Sequence, residues 1–105
     1  MREIVPSELR SRMDSGDAPE ILDIREDWEL DRARLEPVTH IPMDDLVHRL
    51  DELESDRELV VMCHHGVRSA RVVRFLETKG FSHVINLVGG IDAWARDIDR
   101  DVPTY

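Results

Sequence analysis

The sequence predicts an α/β fold with a mostly parallel central sheet of about five strands flanked by helices. Three observations carry that prediction. Leu59-Val60-Val61-Met62 is a continuous apolar run, the pattern of a strand covered on both faces. Before it, Met43, Leu46, Val47, Leu50 and Leu53 recur at helical spacing, opposite Asp44, Asp45, His48, Asp51 and Glu52. Strand-like and helix-like segments alternate along the chain at βαβ spacing.

Taken in order, Glu3-Ile4-Val5 reads as a short strand. Pro6-Ser7 opens a helix through about Met13, with Ser7 as the candidate N-cap, and Ser15-Gly16-Asp17 closes it. Glu20 to Ile24, bounded by Pro19 and by charge, suits a buried strand. A helical turn around Trp28 and Leu30 follows, then a strand from Val38 to Ile41 stopped by Pro42. The segment from Met43 is a helix with a solvated acidic face, and Leu59 to Met62 is the next strand. Arg68 to Lys79 is helical, with Val72, Val73, Phe75 and Leu76 on one arc and Arg71, Arg74 and Glu77 on the other. Gly80 ends it and Phe81 folds back over the last turn. His83 to Leu87 is the last strand, and Gly89-Gly90 leads into a short helix carrying Trp94. Trp28 and Trp94 both read as core.

Size and composition bound what such a chain does. Its 105 residues suffice for one core, and no repeat, linker or low-complexity tract divides them. Residues 1–105 are therefore expected to form a single domain, and a monomer is expected. Hydrophobic residues at 41% and charged residues at 35% exclude a disordered chain. No stretch approaches the length of a membrane span, and Met1 to Pro6 lacks an apolar leader core, so a cytoplasmic location is expected. A net charge of −9 argues against nucleic acid and anionic membranes as partners.

That acidity is uneven. Cys63 to Arg74 holds Arg68, Arg71 and Arg74, two histidines and no acid, so it carries +3 while the rest carries −12. The basic island surrounds the single cysteine. In a parallel sheet, sites lie beyond the carboxyl ends of the strands, and Cys63 falls there on a central one. A short loop runs from Cys63 through His64, His65, Gly66 and Val67 to Arg68, where a helix starts. Gly66 supplies the freedom to curl. Such a turn points backbone N–H groups inward, in line with the positive end of the helix. That cradle favours thiolate over thiol and makes Cys63 the candidate nucleophile.

Cys63-His64-His65-Gly66-Val67-Arg68-Ser69 resembles the active-site loop of the rhodanese family of sulfurtransferases. Three further blocks follow the family in order: Leu22-Asp23-Ile24-Arg25-Glu26, His40-Ile41-Pro42-Met43 and Asn86-Leu87-Val88-Gly89-Gly90-Ile91-Asp92-Ala93-Trp94. Together they cover about residues 20–95. Ala33 to Thr39 departs from the family in lacking a Gly-Ala before His40. The ending, Ile98 to Tyr105, resembles that of rhodanese domains fused to E1-like adenylyltransferases. The resemblance implies a three-layer rhodanese-like fold and a sulfurtransferase. A donor such as thiosulfate would load sulfur on Cys63 as a persulfide, and a thiol or protein acceptor (thioredoxin or a sulfur carrier) would remove it.

The remaining site residues divide by chemistry. Arg68 either draws an anionic donor or folds back on a carboxylate, relieving its position against the helix dipole. His64 and His65 read as loop side chains pointing outward, on a rim where they could also attract a donor. Adjacent Cys63, His64 and His65 do not readily converge on one ion, so neither metal nor cofactor is expected. Asp23 and Arg25 read as an ion pair closing a strand end. Two other functions compete. One is a cysteine-dependent phosphatase or arsenate reductase, whose loop in related folds is one residue longer. The other is a non-catalytic interaction module.

Overall fold

The computed structural model describes all of residues 1–105. The elements in chain order are β1 (Arg2–Ile4), α1 (Pro6–Asp14), β2 (Glu20–Asp23), α2 (Asp27–Arg32) and β3 (Thr39–His40). Two 3-10 segments (Met43–His48 and Leu50–Glu52) follow, then β4 (Leu59–Met62), α3 (Val67–Thr78), β5 (Val84–Leu87) and α4 (Gly90–Asp97). The five strands form one sheet in the order β1-β5-β4-β2-β3, and every pairing is parallel. β4 is central, with Val61 registered between Leu22 of β2 and Asn86 of β5. Its carboxyl end delivers Cys63 to the middle of the sheet edge.

The period-2 alternation of β4 divides the core in two. Leu59, Val61 and Cys63 face one side, where Val72, Val73 and Leu76 of α3 pack with Leu46 and Leu53. Val60 and Met62 face the other, against Leu9 of α1 and Ile91 and Trp94 of α4. The result is three layers. Each fully buried aliphatic side chain in them contributes about 1.5–3 kcal/mol, which explains why β4 is apolar on both faces. No helix is long and apolar enough to cross a membrane.

Three local expectations change. The segment from Met43 is two 3-10 pieces interrupted at Arg49 (φ −129°), rather than one α-helix. At three residues per turn Leu46 falls beneath Met43, whereas Val47 rotates away, and it is 53% exposed. Trp28 is 58% exposed and not core; its ring stands edge-on to Tyr105, 6.1 Å between centroids. Trp94 is buried, as expected. The N-cap of α1 is Val5, with Pro6 in the first turn, where its missing N–H costs nothing.

Candidate active site

β4 ends at Met62 and α3 begins at Val67, so only four residues turn the chain. Gly66 is the N-cap of α3, in the left-handed region at φ +95°. A Cβ there would also come within 3.1 Å of the Gly89 nitrogen and 3.3 Å of the Leu87 oxygen. Glycine is therefore required twice over, for the torsion and for the close approach. The turn brings the Gly66 N–H to 3.1 Å and the Ser69 N–H to 3.3 Å from Cys63 Sγ. These donors belong to the cap and first turn of a helix, where N–H groups have no partner within the helix. The N-cap residue, Gly66, has no side chain to cap α3; the Cys63 sulfur takes that place.

Two further residues fix the cradle. The Ser69 hydroxyl accepts from the Cys63 thiol at 3.3 Å and donates to Asn86 Oδ1, and Asn86 Nδ2 donates to the Gly66 carbonyl at 3.2 Å. The loop's outer carbonyls are held by α4: Ile91 N–H donates to Cys63 O and Asp92 N–H to His64 O, both at 3.0 Å. Gly90 lies against those same two carbonyls. The cysteine itself is 1% exposed.

Arg68 reaches Glu29 in a two-pronged ion pair, with N–O distances of 2.7 and 2.8 Å. Glu29 is 3% exposed and also accepts from the Tyr105 hydroxyl at 2.7 Å. That hydroxyl accepts in turn from Arg25, whose guanidinium pairs with Asp23 in a fully buried contact. Burial alone would raise the Glu29 carboxyl, but the bonds from Arg68 and Tyr105 overcome it and hold the group at about 2. The bond to Glu29 raises Arg68, and burial pushes Tyr105 up to about 12.

A pH prediction follows from Glu29. Its carboxyl falls from an ordinary value near 4.5 to about 2 on folding, so between those values the unfolded chain binds more protons. The linked stability, about 3 kcal/mol, is complete above pH 5 and disappears as pH falls towards 2. Urea midpoints across pH 2–6 should drop steeply for the wild type. The pH slope should flatten in Glu29→Gln; an equal slope would remove Glu29 as the source.

The two histidines stack at the mouth of the loop. The His64 ring lies 3.8 Å from that of His65 and 3.8 Å from that of Tyr105, nearly parallel to the latter at 2°. Burial, then the neighbouring His65, pushes His64 below the usual histidine range. One ligand atom each from His64, His65 and Asp92 lies within 4.8 Å of the others, the grouping in the site able to hold a metal ion.

The family profile of the rhodanese-like domain matches residues 5–97. The chain belongs to that family. A rhodanese-like domain protein from Staphylococcus aureus has the same fold, at TM-score 0.87 and 30% identity, with 100% of this chain and 99% of that one covered. A sulfurtransferase from Allochromatium vinosum is 32% identical over 96 residues, covering 91% of this chain and 90% of its own. YrkF of Bacillus subtilis is 36% identical over 92 residues, 88% of this chain, which spans 50% of YrkF's length.

Within this rhodanese-like domain, the residues singled out from sequence take separate places. Cys63 and Gly66 meet as expected, and His65 is exposed at the rim as expected. His64 does not point outward: its ring is packed between those of His65 and Tyr105, with Nε2 buried. Val67 opens α3 with its side chain 65% exposed and makes no part of the cradle. Arg68 adopts the second of its two readings, pairing with a carboxylate. Asp23 and Arg25 form the expected ion pair. Glu29, Asn86, Asp92 and Tyr105 are site residues that sequence reasoning did not assign. Only Asn86 carried a visible signal, a buried amide among Val84, Ile85 and Leu87.

Proposed function

We propose that this rhodanese-like domain is a sulfurtransferase that carries sulfane sulfur on Cys63, acting as a monomer in the cytoplasm. The observation that carries the reading is the pair of backbone N–H groups, from Gly66 and Ser69, aimed at Cys63 Sγ. Fixed donors of this kind stabilise negative charge on sulfur without reorganising during reaction. With thiosulfate as donor, the Cys63 thiolate attacks the outer sulfur. A new S–S bond forms, the S–S bond of thiosulfate breaks, and sulfite leaves with the electron pair. An acceptor thiolate (a small thiol, thioredoxin or a sulfur carrier) then attacks the outer persulfide sulfur, forming its own persulfide and returning Cys63 as thiolate. The sulfurtransferase name of the Allochromatium relative supports the same reading.

Arg68 bears on the phosphatase alternative. Four residues separate it from Cys63, and its guanidinium is engaged by Glu29. The N–H groups on sulfur favour a nucleophile over an inert interaction module. The test is intact mass spectrometry after incubation with thiosulfate: a gain of one sulfur is expected, reversed by cyanide or a reducing thiol. No sulfur adduct with thiosulfate or with a low-molecular-weight persulfide would overturn the proposal.

Ser69→Ala should slow the same reaction. It leaves Asn86 Oδ1 buried without its donor, and Asn86 is the residue that holds the Gly66 carbonyl of the cradle. Losing one bond of this kind costs about 1 kcal/mol, so kcat/KM should fall about five- to tenfold. An unchanged kcat/KM would reduce Ser69 to its backbone contribution.

A further inference from the structure

We propose that His64, His65 and Asp92 form a binding site for a divalent transition-metal ion of the zinc class. The site stands independently of the sulfur-transfer reading. Adjacent histidines alone do not converge on an ion; Asp92, brought in by α4, supplies a third ligand from a different element. One ligand atom of each of the three lies within 4.8 Å of the other two. Zinc–nitrogen and zinc–oxygen bonds near 2.0–2.2 Å place ligand atoms about 3.3 Å apart in a tetrahedral shell. Closing the remaining gap takes side-chain rotation; His65 is exposed, and turning it gives up its stacking on His64.

The backbone framework is already set. Asp92 N–H donates to His64 O at 3.0 Å, fixing the distance between the loop and the first turn of α4. Tyr105 stacks on His64 and holds the plane of its ring. His64 also carries a buried ring nitrogen, Nε2, that has no hydrogen-bond partner. A buried polar atom of that kind calls for a water or an ion. Two imidazoles and one carboxylate suit zinc, copper, nickel or cobalt rather than magnesium or calcium, which prefer all-oxygen shells. The competitor is Arg96, whose Nε donates to Asp92 Oδ2 at 2.9 Å. The Arg96 side chain is 63% exposed against 16% for Asp92, so the arginine can swing into solvent and leave the carboxylate to an ion.

The probe is Zn2+ titrated calorimetrically into the full chain, with Co2+ absorption as a spectroscopic readout. Cys63→Ser serves as the parent as well as the wild type, because a thiolate binds zinc unaided. One ion per chain is expected in both. Affinity should fall at least tenfold in Asp92→Asn and in His65→Ala, with circular dichroism unchanged, and the Co2+ spectrum should lack thiolate charge-transfer bands. Loss of binding in Cys63→Ser would assign the ion to the sulfur and overturn the proposal. So would affinity unchanged in both Asp92→Asn and His65→Ala, or no binding to the wild type. If His65→Ala fails to fold, Asp92→Asn and the Co2+ spectrum decide alone.

Discussion

Cys63→Ser is expected to bring thiosulfate-dependent sulfur transfer to background while the protein stays folded. Serine differs from cysteine only in a smaller atom on a shorter bond, and its oxygen can accept from the same Gly66 and Ser69 N–H groups. It therefore keeps the helix cap and the loop. What it cannot do is form a persulfide, and no other cysteine in the chain can substitute. The two halves of the prediction are read separately, activity by a thiosulfate:cyanide assay and folding by thermal melting. Activity above background in a folded Cys63→Ser protein would show that sulfur travels by another route. A large loss of melting temperature would instead show that the sulfur holds the loop together in a way oxygen does not.

Gly90→Ala is expected to be the most damaging substitution away from the cysteine. Gly90 sits at φ +61°, and a Cβ there would come within 2.5 Å of both the Cys63 and His64 carbonyl oxygens. The left-handed torsion alone costs alanine about 1–2 kcal/mol. Relieving the overlap means lifting α4 off the loop, which breaks the bonds from Ile91 N–H and Asp92 N–H. At about 1 kcal/mol each, the total is on the order of 3 kcal/mol. Sulfur transfer should fall with it, because the same movement disturbs the backbone that presents Sγ. A denaturant midpoint within error of the wild type would mean that α4 shifts without strain.

What could be read from the sequence was whatever is encoded locally. The strand before the loop declared itself because Leu59 to Met62 is buried on both faces, so its pattern needs no partner to interpret. The Cys63–Gly66 turn was legible for the same reason: a residue that tolerates positive φ stands between a strand and a helix. Where a residue's role depends on something distant, the reading failed. Trp28 reads as core by composition, yet it stands exposed beside Tyr105, far along the chain. Arg68 had two readings because its carboxylate, Glu29, lies 39 positions away. The segment from Met43 misled for a subtler reason. Over so short a stretch, apolar spacing of three and of four fits both helix types, and only the exposure of Val47 separates them.

The pairing of β1 with β5 sets an order of events during synthesis. Arg2 to Ile4 have no strand partner until Ile85 to Leu87 exist, so the first strand made waits for the last. The cradle waits as well. Asn86, Ile91 and Asp92, which fix Ser69 and the loop carbonyls, are all translated after Cys63. At about 5–20 residues per second, the nascent thiol passes a few seconds without the groups that position it. Until those groups fold around it, nothing in the chain sets it apart from an ordinary cysteine. Whatever distinguishes its chemistry arrives with the final quarter of the chain.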